Sequence, residues 1–177
     1  MADYRKFYDL EGYLLGEVSS KFRDSKKIEP LDFFLILHWK APRAKTKHRD
    51  RLKAQAGSFQ EAVACIAKDL SGAASAELRL KILILQWAFR LPTATAILAI
   101  LYPNEFTVYD VRVREQLAHA ALADTCIEAG WEHFWQKYDA FKCAVERETP
   151  SELNLRDKDR YLWGKSLYED AEDCWRA

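Results

Sequence analysis

Residues 93–101, TATAILAIL, are apolar or small on every side. A helix without a polar face has to be enclosed by protein, since no orientation keeps its hydrocarbon away from water. Ala94 and Ala96 are small enough to let neighbouring helices come close. The rest of the chain must therefore supply a shell around this segment. It has the material, because 49% of the 177 residues are hydrophobic and 13% aromatic, enough apolar surface to offset the entropy of ordering. Six glycines and five prolines, few of them in hairpin-turn pairs, argue against a β-rich shell. The expectation is an all-α fold, a single helical domain over residues 1–177 with about eight helices.

Helical spacing recurs along the chain. Leu10, Tyr13, Leu14 and Val18 share one face in a helix reaching Phe22, and Pro30 opens a second through Asp32, Phe33, Phe34, Ile36 and Leu37 that ends near Trp39. Ser58 with Glu61 forms a capping-box start for a helix carrying Ala62, Val63, Ile66, Ala67 and Leu70, stopped by Ser71-Gly72. Ser75, with Glu77 in the first turn, starts another through Leu78, Leu80, Ile82, Leu83, Leu85 and Trp87. After the break at Tyr102-Pro103-Asn104, residues 106–109 run extended into Asp110, and Val113, Leu117, Ala120 and Ala121 mark the next core face. Trp131, Phe134, Trp135, Tyr138 and Phe141 form an aromatic stripe, read as core in preference to a base-stacking platform. The last helix is read with Leu155, Leu162, Tyr168, Ala171 and Trp175 inward, fraying beyond Trp175 where acidic residues oppose the helix dipole.

Lys+Arg and Asp+Glu balance at 27 each, which excludes a uniformly basic, histone-like protein. Any nucleic-acid contact must come from a local patch. The strongest candidate is residues 40–53, where Lys40, Arg43, Lys45, Lys47, Arg49, Arg51 and Lys53 face a single acid, Asp50. It reads either as a solvated loop or as a phosphate-binding run. Cys65, Cys126, Cys143 and Cys174 make no CxxC pair and no zinc spacing, so free thiols and a cytoplasmic location are expected. No apolar run reaches the roughly 20 residues that cross a bilayer, and the N-terminus lacks a signal-peptide pattern. P-loop, dinucleotide-binding, HExxH and GxSxG motifs are absent, and His38, His48, His119 and His133 are too scattered to suggest a metal site.

One segment remains, residues 90–114, RLPTATAILAILYPNEFTVYDVRVR, in which an apolar helix and an apolar extended strip deliver a carboxylate to a helix start. Asp110 either caps that helix by accepting from a backbone N–H near Arg112 or Val113, worth ~0.5 to 2 kcal/mol, or faces a cavity where it acts on a developing positive charge or on a water. Periodicity does not separate the two. The segment resembles the catalytic region of the helix-hairpin-helix superfamily of base-excision DNA glycosylases, whose pattern is LPGVGxKTA, an apolar helix, then VDxH. Ala94 matches the motif alanine and Asp110 the catalytic aspartate. Trp39-Lys40-Ala41-Pro42-Arg43 and Asp159-Arg160-Tyr161-Leu162-Trp163 resemble recurring segments of bacterial relatives.

The resemblance implies hydrolysis of the N-glycosidic bond of a flipped-out damaged or modified base, with DNA as partner and no metal or small-molecule cofactor. Pro92 takes the place of the lysine used by lyase-active members, so a monofunctional enzyme leaving an abasic site is expected. An enlarged phage base is one candidate substrate, which would give the protein a defence role, although nothing in the residues selects it. Trp39, Lys40 and Tyr109 are candidate substrate-pocket residues. The family's hairpin glycines fall on Ala88-Phe89-Arg90, leaving no residue that adopts positive φ cheaply. Phosphate anchoring is therefore expected from Arg90, Arg112 and the run Arg43, Lys45, Lys47, Arg49 and Arg51. Arg112, where the family carries histidine, is expected to pair with Asp110 or with phosphate. A monomer is expected, and the alternative function is a non-catalytic nucleic-acid- or partner-binding helical module.

Overall fold

The structure is a computed structural model that describes residues 4–117 and 130–176. Among these residues there is helix and no strand, as the scarcity of turn residues predicts. The chain forms two compact units, Met1–Pro103 and Asn104–Ala177.

In the first unit a short 3-10 turn precedes α1 (Leu10–Tyr13), a π-helical stretch (Leu14–Val18) and α2 (Ser19–Ser25), followed by α3 (Pro30–Lys40), α4 (Lys45–Ala56), α5 (Phe59–Gly72) and α6 (Ala76–Lys81). A second π-helical stretch (Ile82–Gln86) leads through a turn to α7 (Leu91–Leu101). Every residue of α7 except Pro92 is buried, and the helix packs against α2, α3, α6 and both π-helical stretches. The segment without a polar face is thus the centre of this unit. Its one polar demand in the middle, the Thr95 hydroxyl, is met by donation to the Leu91 carbonyl at 2.8 Å. The serine starts also form as read. Ser58 accepts from the Glu61 N–H at 3.0 Å and donates to the Glu61 carboxylate at 2.8 Å, and Ser75 accepts from the Leu78 N–H at 3.1 Å.

The basic run departs from a loop. Residues 45–56 are helix α4, and Lys, Arg, Ala and Gln all have good helix propensity. With cations at every second position, the charges are distributed around the helix. The inner face is His48, Arg51 and Leu52, of which only Leu52 is fully buried and apolar.

In the second unit an extended strip leads to α8 (Val111–Glu115), and α9 (Trp131–Arg147) and α10 (Leu155–Arg176) complete the described part. Phe134, Tyr138 and Phe141 of the aromatic stripe are buried, while Trp131 and Trp135 are half-buried. The inward face of α10 corrects the expectation: Leu155, Lys158, Asp159, Leu162 and Ser166 are buried, whereas Tyr168, Ala171 and Trp175 are exposed. Lys158 and Asp159 tolerate burial because each is hydrogen-bonded, Lys158 donating from Nζ to the Glu146 carbonyl at 3.0 Å. His119, Ala120, Ala121 and Cys126 lie outside the described residues.

Candidate functional site

An extended strip buried on all sides must satisfy each backbone donor and acceptor without a sheet ladder. Phe106, Thr107, Val108 and Tyr109 are all buried, and two side chains from α9 and α10 supply partners at Thr107 and Val108. The Tyr138 hydroxyl accepts from the Thr107 N–H at 3.2 Å and donates to the Thr107 carbonyl at 2.9 Å. Burial pushes the Tyr138 phenol well above its ordinary pKa, so it stays a neutral donor. One oxygen of Asp159 accepts from both the Thr107 hydroxyl and the Val108 N–H, each at 3.0 Å, while the other takes the Arg156 guanidinium. Asp159 is 2% exposed, so this is a buried ion pair in which both carboxylate oxygens accept hydrogen bonds, the condition under which burying charge is tolerated. Tyr109 then packs on Phe141 with ring centroids 4.8 Å apart.

The strip ends at Asp110, which is half-buried. Its Oδ1 accepts from the Arg112 N–H at 3.1 Å and its carbonyl from the Arg114 N–H at 3.0 Å, making it the N-cap of α8. The capping role is therefore real. The Arg112 side chain turns to α10, with Asp110 among the charges that act on it. Its guanidinium reaches Asp170 and Ser166 on α10 and lies over the Trp163 ring at 5.7 Å. The hydrogen bond to Asp170 raises its pKa further. The guanidinium thus rests on α10 side chains while remaining partly exposed.

In the first unit the cations of the basic run separate by environment. Arg51 turns inward, donating to the Trp87 carbonyl and lying 4.9 Å from the Phe89 ring centroid. Its Nη2 is buried without a hydrogen-bond partner among the described residues. Burial lowers its pKa. It supports the turn before α7 and is not presented for phosphate. His48 lies beside it, 5.4 Å from Phe89, and its pKa is lowered by burial first, then by Arg51 and Lys47. Lys45 donates to the Pro42 carbonyl at 2.8 Å and Arg49 pairs with Asp50 at 2.7 Å. Arg43, Lys47 and Lys53 are exposed. Trp39 and Lys40 are half-buried in the last turn of α3, where a cation suits the helix dipole.

The turn held by Arg51 contains a strained residue. Ala88 adopts φ +49°, the left-handed region that a residue with a Cβ enters only at a cost. Neighbouring contacts impose it: the Phe89 N–H donates to the Leu83 carbonyl at 2.9 Å, the Trp87 indole to Asp69 at 3.2 Å, and Phe89 is buried. Arg90 then sits exposed at the start of α7, with its carbonyl accepting from the Thr93 and Ala94 N–H groups.

Asp159, Tyr138 and Thr107 are the site-building residues that sequence reasoning missed. The available signal was an acid next to Lys158 at positions where the period of α10 points inward. Among the described residues no group of three or more His, Cys, Asp or Glu is placed to hold a metal, and no helix is long and apolar enough to cross a membrane. In comparisons with known proteins, the chain matches no protein-family model, no curated protein and no solved structure.

Proposed function

We propose that the protein is a monofunctional DNA glycosylase-like enzyme in which Asp110 hydrolyses the N-glycosidic bond of a damaged or modified base. The observation that carries this reading is the anchoring of Asp110: a half-buried carboxylate at the end of a strip whose backbone groups are tied to Tyr138 and Asp159. A carboxylate fixed this way, without reorganisation, suits electrostatic stabilisation of a positive transition state. The target nucleotide is rotated out of the stack at a cost of a few kcal/mol, less where the base is altered. As the C1′–N bond breaks, the base leaves with the bonding electrons and the sugar becomes oxocarbenium-like. Asp110 stabilises that charge and orients the water whose oxygen bonds to C1′. One proton of this water is released, and the departing base nitrogen takes up a proton. Pro92 offers no amine for a covalent imine, so the product is an abasic site. Phosphate contacts are assigned to the exposed cations Arg43, Lys47 and Lys53 of the basic run and to Arg90.

The test is incubation with duplexes carrying alkylated, oxidised or enlarged bases, followed by alkali. Strand scission that falls by on the order of 10² to 10³ in Asp110→Asn supports the proposal. Scission undiminished by that change, or none on any substrate, removes it. The capping bond from Asp110 to Arg112 favours a second reading, a scaffold that binds nucleic acid without chemistry, for which salt-sensitive binding without base release is the signature.

A further inference from the structure

α2 and α3 are joined by Lys26, Lys27, Ile28 and Glu29, and this link runs beside the face of α5 that carries Gln60, Ala64, Ala67, Lys68 and Ser71. Those five positions share one side of the helix by their spacing. Together with the link they line a cavity of about 500 Å³. The hollow exists because α5 presents alanines there, whose methyl groups leave unfilled the space that longer side chains would take. Ile28 and Ala67 are buried and give it an apolar floor, while Ala64 is open to solvent.

The rim is cationic. Lys26, Lys27 and Lys68 are exposed along it against one carboxylate, Glu29, which leaves two positive charges in excess. Lys6, Lys142 and Lys165 each pair with an acid. By contrast, among the described residues the ammonium groups of Lys27 and Lys68 meet no acceptor of the chain, although Glu29 lines the same hollow. Lys26 donates one of its three protons to the Arg23 carbonyl at 2.8 Å, which fixes the ammonium and leaves two protons for a ligand. A cleft lined by one sign of charge concentrates ions of the other sign. Size and charge together select among anions. A cavity of about 500 Å³ falls in the range of small-molecule sites. The excess of two charges matches a phosphate monoester, which carries about −1.5 to −2 at pH 7. Lysine meets phosphate as a point charge, whereas a planar carboxylate is best held by the arginine fork, and the cavity lining contains lysines and no arginine.

We propose that this cavity binds a small organic phosphate monoester, its phosphoryl oxygens held by Lys26, Lys27 and Lys68 and its uncharged body lying on Ile28, Ala64 and Ala67. Gln60, exposed at the same edge, offers its amide to hydroxyl groups of that body. The site lies within the first unit and does not rest on the chemistry proposed for Asp110.

The probes are ribose 5-phosphate, inorganic phosphate and ribose, titrated to about 10 mM at a constant ionic strength of about 0.15 M while backbone amide resonances are followed by NMR. Ribose 5-phosphate is expected to shift the amides of residues 25–30 and 60–71 saturably, inorganic phosphate to do so more weakly, and ribose not at all. Lys27→Gln and Lys68→Gln should each raise the Kd for ribose 5-phosphate by about tenfold. Ala64→Leu keeps every lysine and puts a good helix former at an exposed position, so it should preserve circular dichroism and melting while abolishing the shifts. No saturable shift with either phosphate probe, or shifts that both lysine variants leave unchanged, overturns the site. Equal affinity for inorganic phosphate and ribose 5-phosphate, or undiminished binding by Ala64→Leu, overturns the organic ligand. Displacement of ribose 5-phosphate by a short DNA duplex would give these lysines to a nucleic-acid backbone and overturn the small-molecule site.

Discussion

Replacing Ala88 with glycine should make the protein more stable, although the change deletes a methyl group and adds nothing. Ala88 sits at φ +49°, where an L-residue with a Cβ crowds its own carbonyl at a cost of roughly 1 to 2 kcal/mol. Glycine removes that cost, but it also raises the entropy of the unfolded chain, returning about 0.4 to 1 kcal/mol. Ala88 is exposed, so no packing is lost. The net expectation is a gain of about 0.5 to 1 kcal/mol, or about 1 to 4 °C in Tm for a chain of this length. Urea midpoints measured beside Ala54→Gly provide the contrast. Ala54 is also exposed but lies within α4, where glycine should cost about 1 kcal/mol. The same substitution at two exposed alanines thus carries opposite signs. Equal losses at both positions would refute the claim that the turn before α7 is held under strain by its neighbours.

Asp159→Ala removes the partner of the Thr107 hydroxyl, the Val108 N–H and the Arg156 guanidinium together, and should cost about 3 to 5 kcal/mol by chemical denaturation; a loss under about 1 kcal/mol would mean that water replaces the carboxylate. His48 has a folded pKa below its unfolded value of 6.5, so the unfolded state binds more protons between the two. Stability should fall as pH drops through 6.5 and level off below the folded pKa, and the His48→Gln variant should lack that contribution in urea titrations across the same window. For nucleic-acid binding, neutralising Lys47 or Arg90 should each lower the slope of log K against log salt by about one, whereas Arg51→Gln should leave that slope unchanged and lower the Tm.

The parts of the fold legible in the sequence are those fixed by local chemistry or by an unbroken apolar surface. α7 could be read because no face of it was polar, and the serine caps because their bonds span three residues. α4 could not, since its inward face is His48, Arg51 and Leu52 and a hydrophobic period cannot find a helix anchored by one leucine. α10 was legible only in part, since Leu155 and Leu162 face inward as read but Tyr168, Ala171 and Trp175 do not. Its regular apolar stripe faces outward and its buried face includes Lys158 and Asp159, because burial there is decided by partners distant in sequence: Asp159 answers Thr107 and Val108, some fifty positions earlier. Asp110 was found as a helix cap, but the groups that orient it were not, for the same non-local reason. The left-handed Ala88 was not legible, because its intrinsic cost is local while the hydrogen bonds that offset it are made by the folded surroundings.

Net neutrality conceals a division that bears on the proposed chemistry. Residues 1–103 carry 17 Lys and Arg against 11 Asp and Glu, while residues 104–177 carry 10 against 16. Affinity for a phosphate backbone requires cations, whose contacts release condensed counterions. A transition state in which a sugar becomes positive requires the reverse, a carboxylate in a field that does not neutralise it. These demands conflict if met by the same residues, because a lysine near the reacting carbon opposes the charge that must develop there. Here the two demands are assigned to different residues, the exposed cations Arg43, Lys47, Lys53 and Arg90 and the carboxylate of Asp110. On the proposed reading, reversing the charge of the first unit's cations should therefore weaken DNA binding and leave the single-turnover rate of bound substrate nearly unchanged, while Asp110→Asn should do the opposite. A variant series in which binding and single-turnover rate fall together at both sets of positions would show that this separation of charge has no part in the chemistry.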